Sequence, residues 1–430
     1  MNRTRASENL GPTRAGSDSA GAVPTAVDQR RAAGGEGGFR SYVGDFTRKL
    51  RSGELGSLPG IIGVVVLWTV FQSLHQQFLS PRNLSNLSVD IVGTGMIALG
   101  IAFVLLLGEV DLSVASISGL TAAVFAVLNV SNGLPEWLAI VAAMLVGAAI
   151  GAVQGFFSAR IGVPAFVVTL AGLLAWNGLM LYVLGASGTI NLHEQGLIHA
   201  LTSYYFHDAA VAYGLAALSV AAFFLASYRD ARRRRAAGVR SRPLSVIAVR
   251  TGAVALVAFA AAYILNRFQG LPLALLIFLA FVVGLDFVLR RTFYGRKIFS
   301  IGGGAEAARR AGINVVWLRI SAFMVSGTLA AVGGLFLASR VAAVGQTSGS
   351  SILLINAVAA AVIGGVSLFG GRGTTWSVLL GILVIQSIAS GMVLLGIPTP
   401  MQSVITGGVL LAAVALDSLS HLSQKAHGRA

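Results

Sequence analysis

Twelve apolar segments recur along the chain, separated by polar interruptions. They fall at about 58–74, 91–108, 112–130, 137–158, 163–184, 209–227, 245–265, 271–290, 319–340, 352–366, 375–396 and 401–417. Most approach or exceed the roughly 20 residues that a helix needs to cross a bilayer. The pattern predicts an all-α polytopic membrane protein with about 10–12 transmembrane helices. The two segments flanking Gly108–Ser113 are parted by so short a break that they could form one interrupted element. The segment 352–366 is short for a full span. Residues 1–56 have no apolar periodicity and are rich in Gly, Ala, Ser, Thr and Arg. They read as a disordered basic tail. The expected organisation is this tail, a transmembrane domain over 57–418, and a short polar tail over 419–430.

Charge orients the segments. Loop 228–244 carries Arg229, Arg232, Arg233, Arg234, Arg235, Arg240 and Arg242, and loop 290–318 carries Arg290, Arg291, Arg296, Lys297, Arg309 and Arg310. Loop 185–208 has no Lys or Arg; it holds Glu194, Asp208 and three histidines. The positive-inside rule therefore makes 228–244 and 290–318 cytoplasmic and 185–208 external. Counting spans then places both termini in the cytoplasm of a multi-pass cell-membrane protein. The net charge of +15 is thus a loop-and-tail property, and no nucleic-acid partner is expected.

Composition narrows the chemistry. Charged residues make up only 11% of the chain, about half the share in soluble domains. There is no cysteine, which removes disulfides, thiolate metal sites and cysteine nucleophiles. Gly364-Gly365 and Gly370-Gly371-Arg372-Gly373-Thr374 resemble a phosphate loop but lack the Gly-Lys-Ser/Thr ending, which occurs nowhere in the chain. ATP hydrolysis, where used, is expected on a separate polypeptide. His193 has no second histidine four residues on, so no zinc helix is formed. No metal, cofactor or catalytic residue is expected.

The segment Tyr294–Val315 is a basic loop in an apolar chain. Gly302-Gly303-Gly304 is expected to interrupt helix, since each glycine costs about 1 kcal/mol relative to Ala. Ala305–Ala311 favours helix, with Glu306 in its first turn and four residues before Arg310. Gly312 is placed as a left-handed cap. So short a helix needs a surface to lie on, and a soluble partner is one candidate. An ordinary positive-inside loop is the plainer alternative.

Glu109 and Asp111, in Gly108-Glu109-Val110-Asp111-Leu112-Ser113, stand between membrane-embedded segments. They could line a polar path, or Asp111 could simply cap the next helix at the interface. Trp176 and Asn177 could stack on a sugar and hydrogen-bond to it, although packing is the commoner fate of Trp. Gly108–Leu112 is faintly echoed by Gly364–Leu368, as in transporters built from repeats.

Several stretches together resemble the membrane subunits of monosaccharide ABC importers of the ribose and xylose type. They are Gly108–Ser113, Val163–Gly172, Phe293–Val315, Val362–Gly373 and Gln402–Asp417. The likeness runs from about residue 60 to 418, in the family's order. The arginine-rich loop 228–244 looks most like the xylose branch. Gly304 departs from the family's usual Asn, and Ala115 from its usual Gly. The resemblance implies a homodimeric permease with an ABC ATPase subunit below it and an extracytoplasmic sugar-binding protein above it. It would translocate a simple sugar, a pentose such as xylose. Gly303, Glu306, Ala307, Ala308, Arg310 and Gly312 would then form the ATPase-coupling loop. Asp111, Ser113, Thr169, Trp176 and Asn177 are candidates for the translocation path. Two other classes stay open: an ion-coupled secondary transporter, for which Glu109 and Asp111 are the only placed carboxylates, and an integral enzyme acting on lipid-linked sugars.

Overall fold

The computed structural model describes residues 58–238, 241 and 243–426. The expected tail over 1–56 and the last four residues lie outside these. Each of the twelve apolar segments lies in a helix. In chain order these are α1 (Leu58–Leu74), α2 (Pro81–Leu106), α3 (Val114–Ala126), α4 (Glu136–Phe156) and α5 (Ala165–Leu184). After the short α6 (Leu197–Ser203) come α7 (Ala209–Ala236), α8 (Leu244–Asn266) and α9 (Leu273–Arg291). Then follow α10 (Phe293–Gly303), α11 (Ala305–Arg310), α12 (Val315–Val341), α13 (Ser351–Ile363), α14 (Thr375–Leu394) and α15 (Thr399–Ala426). Among the described residues nine helices are long and apolar enough to span a membrane, and Gly60–Leu74 and Ser351–Ile363 are shorter apolar ones. α15 continues to Ala426, past the boundary expected at 418.

The breaks follow from local chemistry. Ser80 accepts a hydrogen bond from the Asn83 N–H and Pro81 opens α2, so that helix starts ten residues before its apolar run. α3 and α4 end in π-helical turns, Val127–Ser131 and Phe157–Ile161. Pro164 and Pro272 precede α5 and α9, where a missing N–H costs nothing.

α12 is the pillar of the bundle and packs along α4, α2 and α3. α2 is buried over 94% of its apolar window. α7 and α8 pair with each other at the periphery and are buried over only 11%. The two ends of the bundle differ. At one end, two small antiparallel ladders tie the loops: β1 (Thr189–Asn191) against β4 (Ala343–Gly345), and β2 (Tyr205–Phe206) against β3 (Leu271–Pro272). Thr202 Oγ1 and Ser339 Oγ, 2.8 Å apart, and the Glu136 carboxylate on the Leu197 N–H hold the same end. A cleft there is lined by Arg82, Asn86, His199, Tyr205 and Arg340. This will be called the ladder end. At the other, the α2–α3 break, α10–α11 and the 364–374 turn meet. The segments that follow and precede the two echoing motifs touch here: the Gly371 N–H donates to Leu106 O at 3.0 Å.

Candidate functional site

Between α2 and α3 the backbone leaves the helix for seven residues, and a polar centre forms around it. Asp111 is the hub. Its Oδ1 accepts from the Ser113 N–H (3.0 Å) and the Ser113 hydroxyl (2.7 Å), and its Oδ2 accepts from the Ser326 hydroxyl of α12 (3.1 Å). Ser113 Oγ in turn accepts from Gln154 Nε2 of α4 at 2.8 Å. The Thr169 hydroxyl of α5 reaches Val110 O at 3.4 Å. Beside this centre, Glu109 pairs with Arg319, in the first turns of α12, at 2.8 Å, and Ser158 donates to its other oxygen at 3.4 Å. Three helices, α4, α5 and α12, thus clamp one stretch of irregular backbone. That meets the requirement that non-helical backbone at membrane depth be satisfied by protein.

The candidate path residues do not all gather. Asp111, Ser113 and Thr169 come together, at 1%, 0% and 0% exposure. Within one chain they are sealed by packing. Trp176 lies two turns farther along α5, half-buried, its indole N–H enclosed and without an acceptor among the described residues. Asn177 faces away from the bundle and is exposed. Glu109 and Asp111 lie on irregular backbone between helices. Among the described residues no three His, Asp or Glu side chains gather as a metal site.

The sequence reading overlooked Gln154, Ser326 and Arg319. Gln154 is a lone polar residue in an apolar span, which is a usable signal, whereas Arg319 and Ser326 share a helix with Ser321, Thr328, Ser339 and Arg340 and do not stand out. Their partnership across 41 and 215 residues is not readable. It also passed over Gly147, Gly151 and Gly155, whose spacing of four marks close helix packing.

The opposite end from the ladders presents α10 and α11. One expectation is corrected here: Gly302 and Gly303 do not interrupt helix, for α10 runs through both and only Gly304 parts it from α11. The reason is contact. A Cβ on Gly302 would lie 2.0 Å from Leu106 O and 2.3 Å from the Gly371 nitrogen. The missing side chain lets α10 press against the α2–α3 break, which offsets the loss of helix propensity. α11 itself is seated by Ala308, with Ala305 partly buried beside it. Ala308 is buried among Ile298, Ile301, Val315 and Leu318. Gly303, Glu306, Ala307, Arg309, Arg310 and Gly312 are exposed. Glu306 lies 3.6 Å from both Arg309 and Arg310, pairs too exposed to contribute much. Gly312 has φ +80°, and the Ile313 N–H closes on Ala308 O at 3.1 Å. At the start of α10 the Tyr294 hydroxyl lies 3.0 Å from Ser321 Oγ. Burial pushes the Tyr294 phenol above its usual value, opposed by the Ser321 hydrogen bond.

Curated relatives resemble the chain over most of its length. The xylose transport system permease protein XylH of Escherichia coli K12 is 35% identical over 361 residues, covering 84% of this chain and 90% of the relative. XylH of Haemophilus influenzae is 34% identical over 86% of this chain and 98% of its own. The ribose import permease protein RbsC of Bacillus subtilis is 30% identical over 85% and 94%. No solved structure matches. An ion-coupled carrier finds no support among these relatives. Residues 83–414 match the family described as branched-chain amino acid transport system / permease component, and the chain belongs to that family: it is a transport permease of the membrane and not a catalytic enzyme.

Proposed function

We propose that the chain is the membrane permease of an ATP-driven importer for a simple sugar, a pentose such as xylose. It works as a homodimer. A separate ABC ATPase subunit docks on the α10–α11 end, and an extracytoplasmic sugar-binding protein docks on the ladder end. Both termini are then cytoplasmic. The relatives supply the substrate class: those above are named for xylose and ribose.

α11 carries this reading. A six-residue helix cannot persist alone in water, and here only Ala308 is buried, with Ala305 partly buried beside it. Its exposed small face, Ala307 with Gly303 and Gly312 at its margins, can sit closely in a groove of a partner. Glu306 and Arg310 flank that face. α12 leaves directly from this segment, and Arg319 in its first turns grips Glu109 at the polar centre. A push on α11 therefore has a short mechanical route to Asp111, Ser113 and Thr169. In this state those residues are closed; opening the path requires α4, α5 and α12 to shift around the break. Trp176 and Asn177 would meet the sugar farther along α5. The charge distribution supports the orientation: Arg290, Arg291, Arg296 and Lys297 lie at the α10 end, while 185–208 at the ladder end has no Lys or Arg.

Labelled xylose uptake by cells making the complete transport system tests the reading. Depleting ATP while holding the membrane potential should abolish uptake. An uncoupler with ATP maintained should leave most of it. Uptake that follows the proton gradient and ignores ATP would overturn the importer.

A further inference from the structure

The end of α7 remote from the ladders carries charge that its surroundings do not balance. Between Arg229 and Arg235 stand five arginines and one aspartate, a net charge of +4 over about 9 Å of helix. Cations near the α10–α11 end find anions: Arg290 pairs with Asp286 and Arg319 with Glu109, each at 2.8 Å, and Arg309 and Arg310 share Glu306. On α7 Asp230 takes Arg234 at 3.0 Å, and Arg235 donates to Ser241 Oγ at 2.9 Å. Arg229, Arg232 and Arg233 are exposed, with no acceptor among the described residues. These three share a direction. Ala231 is buried and marks the inward side of this turn. At 3.6 residues per turn, Arg229, Arg232 and Arg233 point about 160°, 100° and 160° away from it. Leu218 and Leu225 continue the same outward side into the apolar run, at 67% and 47% exposure.

We infer that Arg229, Arg232 and Arg233 form a docking face for the headgroup of an anionic phospholipid, whose acyl chains lie along Leu225 and Leu218. Depth selects this occupant. Residues 209–227 rise about 28 Å, close to the roughly 30 Å of a hydrocarbon core. Arg229 follows about 3 Å later and Arg233 about 9 Å later, which spans the headgroup layer. A soluble partner would meet cations that stand clear of the lipid; these begin at its edge. Charge selects it too. Three guanidinium groups without anions suit phosphate, which they can bind in bidentate fashion, and basic clusters just past a membrane helix attract anionic lipid. The consequence is mechanical. The apolar cluster that ties α7 and α8 to α9, with Ala212, Ala216, Ala262, Leu265 and Leu275, lies toward the ladder end. Lipid charge would steady the hairpin at the other end. On the orientation proposed above, that lipid belongs to the cytoplasmic leaflet; the docking itself depends neither on that orientation nor on the sugar.

The chain has no cysteine, so Leu225→Cys introduces a single thiol for a bimane fluorophore beside the proposed headgroup. The full chain is placed in phosphatidylcholine nanodiscs, whose two leaflets are alike, so an inverted orientation would not alter the result. A minor fraction of the lipid carries a doxyl quencher on its acyl chain, as phosphatidylglycerol in one sample and phosphatidylcholine in the other. Quenching by the glycerol lipid should be at least threefold the stronger. Arg229→Gln, Arg232→Gln and Arg233→Gln together should bring the two lipids level, while Arg296→Gln with Lys297→Gln on α10 should keep the preference. Molar salt should erase it in the parent, because exposed charges are screened, and this arm needs no variant to fold. Millimolar inorganic phosphate should leave it in place. Equal quenching in the parent, or a preference that survives the triple change or molar salt, would overturn the inference. Displacement by inorganic phosphate would make the face a site for free anion and overturn the lipid. A preference that vanishes when the ATPase partner is added would give the face to that protein.

Discussion

Gly151→Ala isolates the contact that sets the centre of the bundle. In a helix interior the change is favourable by about 1 kcal/mol, because Ala loses less backbone entropy. At Gly151 the surroundings reverse the sign. A Cβ there would stand 2.1 Å from Phe323 O and 2.6 Å from the Phe323 carbonyl carbon. Ordinary contact needs about 3.4 Å, so α4 and α12 must part by about 1 Å. The obstacle is helix backbone, which cannot rotate away as a side chain would. A gap of that size forfeits a quarter to a half of each facing dispersion contact. The seam is also closed at Gly147, whose Cβ would stand 2.4 Å from Gly327 O, and at Gly155, 2.7 Å from Ile320 Cα. Overpacking here belongs at the upper end of the usual range, about 3 kcal/mol. Net of propensity, Gly151→Ala should destabilise by about 2 kcal/mol and, in a chain of 430 residues, lower Tm by roughly 2–3 °C. Gly252→Ala in α8 is the counter-experiment. Nothing lies within 4 Å of its Cβ position, so it should raise Tm by roughly 1 °C. Thermal unfolding in lipid nanodiscs reads both. A Gly151→Ala protein that melts at or above the parent would refute the close seam, as would equal losses in both variants.

Three further outcomes are expected. Asp111→Ala leaves the Ser113 N–H and the Ser113 and Ser326 hydroxyls without their acceptor, costing about 3 kcal/mol or more, whereas Asp111→Asn keeps an acceptor oxygen and should cost about 1 kcal/mol; equal melting temperatures for the two would contradict the hub. Gly312→Val forces a β-branched residue to φ +80°, so uptake should drop at least tenfold with the protein still in the membrane, while Gly312→Asn, tolerant of that conformation, should keep most of it; normal uptake and ATPase recruitment in the Val variant would return the segment to a plain basic loop. A lone cysteine at position 199 should react with an impermeant maleimide in intact cells, and one at 234 only after permeabilisation; the reverse would invert the proposed orientation.

Length and apolarity alone determined that the chain is a bundle of membrane helices, because a bilayer leaves no other way to satisfy the backbone of a long apolar run. The caps of α11 were also legible, since Glu306 in a first turn and Gly312 at left-handed φ are local requirements. What lies inside the bundle was not. α2 and α8 read as equally apolar, yet one is the core and the other the rim. Lipid and protein interior are alike in polarity, so the hydrophobic pattern cannot tell a buried face from a lipid-facing one. The partners of Asp111 come from residues 113 and 326, and the acceptability of Gly302 in helix depends on Leu106 and Gly371. Such pairings are set by which helices cross and at what height, and only the packed structure decides that.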